Sequence, residues 1–191
     1  MMKIKLLTDI NGNTNKNYFN LNMSCSQTLS GLTHDCDSNM GGCAAVWIAP
    51  YTANSATVSE NIITELSNSE AYKYYAFRKG AASLTKTANI DSTNGIAYVS
   101  SELLINFSKM DTTKRIEMNA LLLSDVSVIV KDNNGKYWFL GYSEPVNATA
   151  GTGATGQAKT DANQYSITLT DECAVFPYEV SKTVGDALPT A

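Results

Sequence analysis

Charge is scarce in this chain. Of its 191 residues only 17% are Asp, Glu, Lys or Arg, and 14 basic residues stand against 18 acidic ones for a net charge of −4. The Lys and Arg residues form no cluster, and the pI lies near 4.9. Neutralising a phosphate backbone needs concentrated positive charge, so the composition argues against sequence-specific nucleic-acid binding. Histidine is scarcer still, with His34 alone. Any Ser-His or Cys-His nucleophilic arrangement would have to use it, yet it sits in a polar segment, and no G-x-S-x-G elbow is present. The carboxylates, from Glu60 to Glu172, are scattered without a spacing that singles out an acid/base pair. Catalysis is not expected. Long apolar runs are missing too, and the best, "ALLLSDVSVIV", is interrupted by Ser124 and Asp125, so membrane insertion is not expected. The opening "MMKIKLLTDINGN" loses its apolar run at Asp9, short of a secretory leader; synthesis and retention in a cytoplasm is the expectation.

What the chain does have is 43% apolar residues and an abundance of Ser, Thr and Asn, the balance of a β-rich domain with long loops. Residues 1–45 read as a polar arm or irregular segment, 46–180 as the β-rich domain and 181–191 as a frayed tail. "AAVWIAPY" (44–51), "ENIITEL" and "YKYYAF" carry strand composition. "TKTANIDSTNGIAYVSSELLINF" places an Asn94-Gly95 turn between two strand-like halves, a hairpin signal. "DTTKRIEMNALLL" predicts a helix capped by Asp111, with Ile116, Ala120 and Leu123 as its apolar stripe, widened by Met118 and Leu122. "VSVIVKDNNGKYWFLG" predicts an antiparallel hairpin turning at Asn134-Gly135. Tyr142–Gln164 reads as a long polar loop, and "YSITLT" as a half-buried strand after it.

Two clusters invite chemical readings. "GTGATG" fits G-x-G-x-x-G, but a dinucleotide fingerprint must leave a strand and open a helix, and here the next element is a strand. Gln157 stands where a P-loop needs lysine. The run therefore reads as a flexible contact loop, comprising Gly151, Thr152, Gly153, Ala154, Thr155, Gly156, Gln157 and Lys159, with no cofactor implied. Cys25, His34, Cys36 and Cys43 fall within nineteen residues and are all competent zinc ligands. Their spacing lacks a C-x2-C knuckle, which favours reduced, partly buried thiols over zinc or a disulfide.

The segment "NFSKMDTTKRIEMNALLLSDVSVIVKDNNGKYWFLGYSEPV" with the later "AGTG…DANQYSITLTDE…FPYEV" resembles bacteriophage tail-tube-type proteins, over roughly residues 70–180. The closest likeness within them is to ring-forming tail proteins of crAss-like and related Bacteroidetes phages. That resemblance implies a β-sandwich or partly closed barrel with one flanking α-helix and long loops, the helix lying on the outer face of a sheet. It further implies a homo-oligomeric ring of the tail hub or tail tube, joined to other tail or neck proteins and surrounding the DNA conduit of a virion. The 151–159 loop would make inter-subunit contacts. Head-decoration, receptor-binding or fimbrial modules on a similar sandwich form the alternative class, and a small enzyme or ligand-binding domain a third.

Overall fold

The computed structural model describes residues 31–34 and 36–190, so Cys25 and most of the expected N-terminal arm lie outside the described residues. Ser38–Ala191 makes one compact unit. Its elements run β1 (Cys43–Pro50), β2 (Ala56–Ser59), β3 (Ile62–Leu66), β4 (Lys73–Tyr75), β5 (Ala82–Asp91), β6 (Ile96–Ser108), α1 (Thr112–Leu123), β7 (Val126–Asp132), β8 (Tyr137–Leu140), β9 (Asn147–Ala154), β10 (Gln164–Cys173), β11 (Tyr178–Val180) and α2 (Lys182–Asp186). Seven strands form one sheet in the order β2-β3-β11-β8-β7-β1-β4, and four form another in the order β5-β6-β10-β9. The fold is a β-sandwich with one main helix, and neither sheet closes into a barrel.

The run "VSVIV" explains the sandwich. Val126, Val128 and Val130 point into the core between the two sheets, while Ile129 points to the opposite face of the seven-stranded sheet. β1 pairs with β7 and divides likewise: Val46 and Ile48 face the inter-sheet core, and Ala45, Trp47 and Ala49 face away. Strands buried on both faces need apolar residues at every position, which is why these two read as continuous runs. The turn between β7 and β8 falls where expected, with Gly135 at φ 83° and Asp132 Oδ1 accepting from the Asn134 and Lys136 amides.

The second, outward core covers Ile129, Trp47 and Phe139 with Ile63, the wholly buried Tyr72, and the chain's own end. Here the expected frayed tail is corrected. Ser181 caps α2 by accepting from the Val184 amide, Leu188 is buried, and the Trp47 indole donates to the Pro189 carbonyl at 2.7 Å. A Trp ring on a sheet face needs both an apolar cover and an acceptor for its N–H, and the tail supplies both.

The helix begins as predicted, with the Asp111 side chain accepting from the Lys114 amide at 2.8 Å. Its buried face follows the prediction only at Met118. Met118 and Leu121 enter the inter-sheet core, whereas Ile116 is 58% and Leu123 92% exposed. Nor does α1 lie on the outer face of a sheet. It closes the flank of the sandwich between β4, where Tyr75 donates to Glu117, and β9, where Leu122 lies against Gly151. A flank plug needs only a narrow apolar stripe, because both its sides face water. Leu121→Ala is expected to cost about 2–4 kcal/mol through the cavity it leaves. Leu123→Ala should change stability by no more than about 0.5 kcal/mol, and urea unfolding of the two variants measures the difference.

Candidate assembly surfaces

The glycine run is mostly strand. Gly151, Thr152, Gly153 and Ala154 belong to β9, and Gly153 pairs with Tyr165 of β10. The long polar loop expected from Tyr142 to Gln164 is therefore split by β9 into two short connections, residues 142–146 and 155–163. The glycines are there for packing. A Cβ on Gly153 would lie 2.7 Å from the Tyr165 ring, and one on Gly151 would lie 3.0 Å from Leu122 of the helix. Small residues let Tyr165 and α1 close over the strand, and their lack of apolar bulk hides the strand from a hydrophobicity pattern.

The remaining loop is built, not slack. Gly156 takes φ 72°, a left-handed conformation that glycine adopts without Cβ strain. The Asp161 carboxylate accepts from the Gln157 and Ala158 amides, both at 2.8 Å, and these bonds hold its pKa below the usual carboxylate value. Asn163 then ties the loop's end to the β6–α1 junction, accepting from the Lys109 and Met110 amides. Thr155, Gln157 and Lys159 are all exposed on it.

The four-stranded sheet has one dry face and one wet face. Ile167, Leu169, Leu103 and Ile105 look into the sandwich. The other face carries a row of Thr85, Glu102 and Thr170 in register across β5, β6 and β10, with the Thr149 hydroxyl 2.9 Å from that of Thr170. Lys86 is the sole Lys or Arg in these four strands, and it turns inward, its ammonium 3.3 Å from the centre of the Trp138 ring. Burial pulls its pKa down to about 8, against the attraction of Asp132. The strand residues of the wet face include Asp91, Glu102 and Glu172 and no Lys or Arg, while Arg78, Lys79 and Lys109 line a cavity with Asn106, Ser108 and Gln164 at its end.

Both edges of this sheet are open. β5 and β9 each pair on one side only. β9 contains no proline and no charge, and β5 contains only the inward Lys86 and the terminal Asp91. The β5–β6 hairpin also outruns its neighbour: β10 pairs with β6 only as far as Val99, leaving residues 89–98 as a two-stranded projection. Its tip shows Ile90 at 77% and Ile96 at 52% exposure.

The cysteine and histidine candidates do not form a centre in what the structure describes. His34 and Cys36 are exposed, and Cys43 is buried at the start of β1, where desolvation raises its thiol pKa. Among the described residues no three His, Cys, Asp or Glu side chains are grouped as metal ligands.

One polar group escaped the sequence reading. Asp171 is only 2% exposed, accepts from the Gly141 amide at 3.2 Å and from the Cys173 thiol at 3.3 Å, and lies opposite Ser101 and, one strand further, Lys86. Its place was legible: in "YSITLTDEC" the inward alternation Tyr165, Ile167, Leu169 continues to Asp171 and Cys173. Gly141, at φ 91° with Val126 and Val146 crowded against it, cannot turn its amide elsewhere, and the carboxylate satisfies it.

Comparison of the chain with protein-family models, with curated proteins and with solved structures gives no match.

Two outcomes follow from this geometry. Gly153→Ala is expected to cost about 1–3 kcal/mol, since the Tyr165 ring must move; Thr152→Ala, facing solvent, should stay within about 0.5 kcal/mol in the same urea titration. Burial raises the Asp171 pKa, so the folded chain binds that proton more tightly than the unfolded chain. Its contribution is therefore favourable at low pH and is lost as pH rises from the ordinary carboxylate range through the folded pKa. Asp171→Asn keeps an acceptor for Gly141 and removes the charge. It should raise stability at pH 7 and flatten the acidic limb of a stability–pH profile, and a variant less stable at pH 7 would count against this account.

Proposed function

We propose that this chain is a non-catalytic structural subunit that joins copies of itself side by side through the two open edges of its four-stranded sheet. The observation that carries the reading is the state of those edges. Soluble proteins shield exposed edge strands with charge, proline, bulges or a covering element. β9 has a bulge beside Thr168 and the helix against its inner face but no charge or proline, and β5 has only the inward Lys86 and the terminal Asp91. Among the described residues the outer hydrogen-bonding side of each strand stays unpaired. β5 of one copy meeting β9 of the next continues the sheet. That contact is heterologous, and it closes into a ring when the rotation per subunit divides the circle.

In such a ring the hydroxyl-rich face becomes a continuous wall. The charges borne by its strands, Asp91, Glu102 and Glu172, are all acidic, and Arg78, Lys79 and Lys109 gather only at its end. A strand surface without Lys or Arg does not hold passing phosphates by counterion release, which suits a conduit for DNA. Together with the resemblance of residues 70–180, this supports a ring of a phage tail, hub or tube, contacting other tail or neck proteins in the virion. The exposure of Thr155, Gln157 and Lys159 beside the β9 edge supports a role for this loop in contact with a neighbour.

Negative-stain microscopy and sedimentation of the purified chain, alone and with neighbouring tail proteins, test this directly. Rings or stacked tubes are expected. Thr152→Lys puts a charge on the open β9 strand at a solvent-facing position, so it should leave the melting temperature unchanged and abolish rings. A chain that stays monomeric with and without those proteins would overturn the proposal, and binding to host-surface glycan in its place would favour a receptor-binding module.

A further inference from the structure

We infer that Arg78, Lys79 and Lys109 form a binding site for the phosphates of a nucleic-acid backbone, contacted without regard to base sequence, at one end of the wet face. The cations stand far apart in the chain, and the fold gathers them. Arg78 and Lys79 sit in a tight turn before β5, where the Ala81 amide donates to the Arg78 carbonyl at 2.9 Å and Gly80 takes φ 78°. The Asn106 amide donates to the Ala81 carbonyl at 2.8 Å, which fixes this turn against β6. Lys109 follows β6 at φ 65°, a conformation uncommon for a residue with a side chain, and its amide donates to the Asn163 carbonyl at 2.7 Å. The turn, the strand end and residues 160–163 wall a cavity of about 610 Å3.

Positive charge is in surplus there. The three cations are exposed and enter no ion pair among the described residues. The lining holds one carboxylate, Asp161, whose Oδ2 already accepts from the Gln157 and Ala158 amides. Asp111, two residues beyond Lys109, is paired with Lys114 at 2.8 Å. The neutral groups agree in polarity. Asn106 Oδ1 accepts from the Ser166 hydroxyl and Asn163 Oδ1 from the Met110 amide, which leaves both side-chain NH2 groups as donors. A single carboxylate would answer one of the three cations and leave the others repelling each other. A nucleic-acid strand repeats its charge at every nucleotide and answers them together, with the Arg78 guanidinium fitting two phosphate oxygens at once. The choice of nucleic acid over an acidic protein segment rests on the reading of the adjoining face as the wall of a DNA conduit. The site itself is complete within one chain. In a ring, each copy turns this end of β6 to the same rim, so the sites form a basic collar on an otherwise acidic wall.

Fluorescence anisotropy of a short labelled DNA duplex of mixed sequence, titrated with the full chain at rising salt, tests the site. Binding is expected at low salt, indifferent to scrambling of the bases, with log K falling against log salt at a slope of about −2.7 for three neutralised phosphates. Arg78→Gln with Lys109→Gln should weaken binding at least about tenfold and reduce the slope to about −0.9. Lys73→Gln with Arg115→Gln removes the same charge from exposed positions elsewhere and should leave the affinity within about twofold. Equal losses from the two pairs, or no binding of the duplex at low salt, would overturn the inference. So would a hexaglutamate peptide that binds through Arg78 and Lys109 where the duplex does not, since the partner would then be an acidic protein. Rings built from a chain that does not bind DNA would sink the site and spare the ring; a chain that binds DNA yet stays monomeric would do the reverse.

Discussion

The burial of β7 and β1 on both faces is the constraint from which the rest of the structure follows. A strand with Val at three positions, Ile at a fourth and a buried Ser between them has no side to offer water. Each face needs its own cover. The four-stranded sheet covers one, bringing Leu103, Ile105, Ile167 and Leu169 against the three valines. The chain's end covers the other, with Leu188 and the Pro189 carbonyl closing over Trp47. Apolar area buried at about 25 cal/mol per Å2 is the main favourable term in such an arrangement. It explains why a segment as polar as "SKTVGDALP" packs on the sheet.

Covering one face with a smaller sheet leaves the sandwich open at its flank, and the helix answers that. Met118 and Leu121 enter between the sheets while Tyr75 and Gly151 hold the helix to the two strands beside the gap. At the end of the core near Gly141, polar groups take over. Asp171 meets the Gly141 amide, and Lys86 lies on Trp138 instead of on a carboxylate, so the two sheets are joined there by a cation–ring contact. Beyond this end the apolar core stops, yet the β5–β6 hairpin continues, which is why its isoleucines stand in solvent.

Where sequence pattern and structure agree, a strong local signal is the reason. Asp111 as N-cap, the two Asn-Gly turns and the alternation of "YSITLT" each depend on two to six neighbouring residues, and all appear where expected. The failures share a cause, which is that tertiary context decides. A helix with apolar residues at 116, 118, 120, 121, 122 and 123 has several candidate stripes, and only the width of the flank it fills selects Met118 and Leu121. β9 was illegible because "NATAGTGA" lacks every β-favouring residue except Thr; its strand identity comes from β10 and from the close approach of Tyr165 and Leu122. Asp171 obeyed the period of two but was read by its charge instead of its position.

The "GTGATG" run joins these points to assembly. A G-x-G spacing in a strand removes alternate side chains from one face, here the face that must admit a tyrosine ring and a helix. The same smallness leaves the outer side of β9 without the bulk or charge that ordinarily repels a second strand. Packing inside the chain and availability to a neighbour therefore arise from one choice of residues. A sequence selected only for monomer solubility could satisfy Tyr165 with glycine at 153 and still place Lys or Glu at the solvent-facing Thr149 and Thr152. It keeps threonine at both, one of them hydrogen-bonded to Thr170 across the sheet. That edge is neutral and pairs on one side only, while the bulge beside Thr168 and the helix against Gly151 shape its inner side.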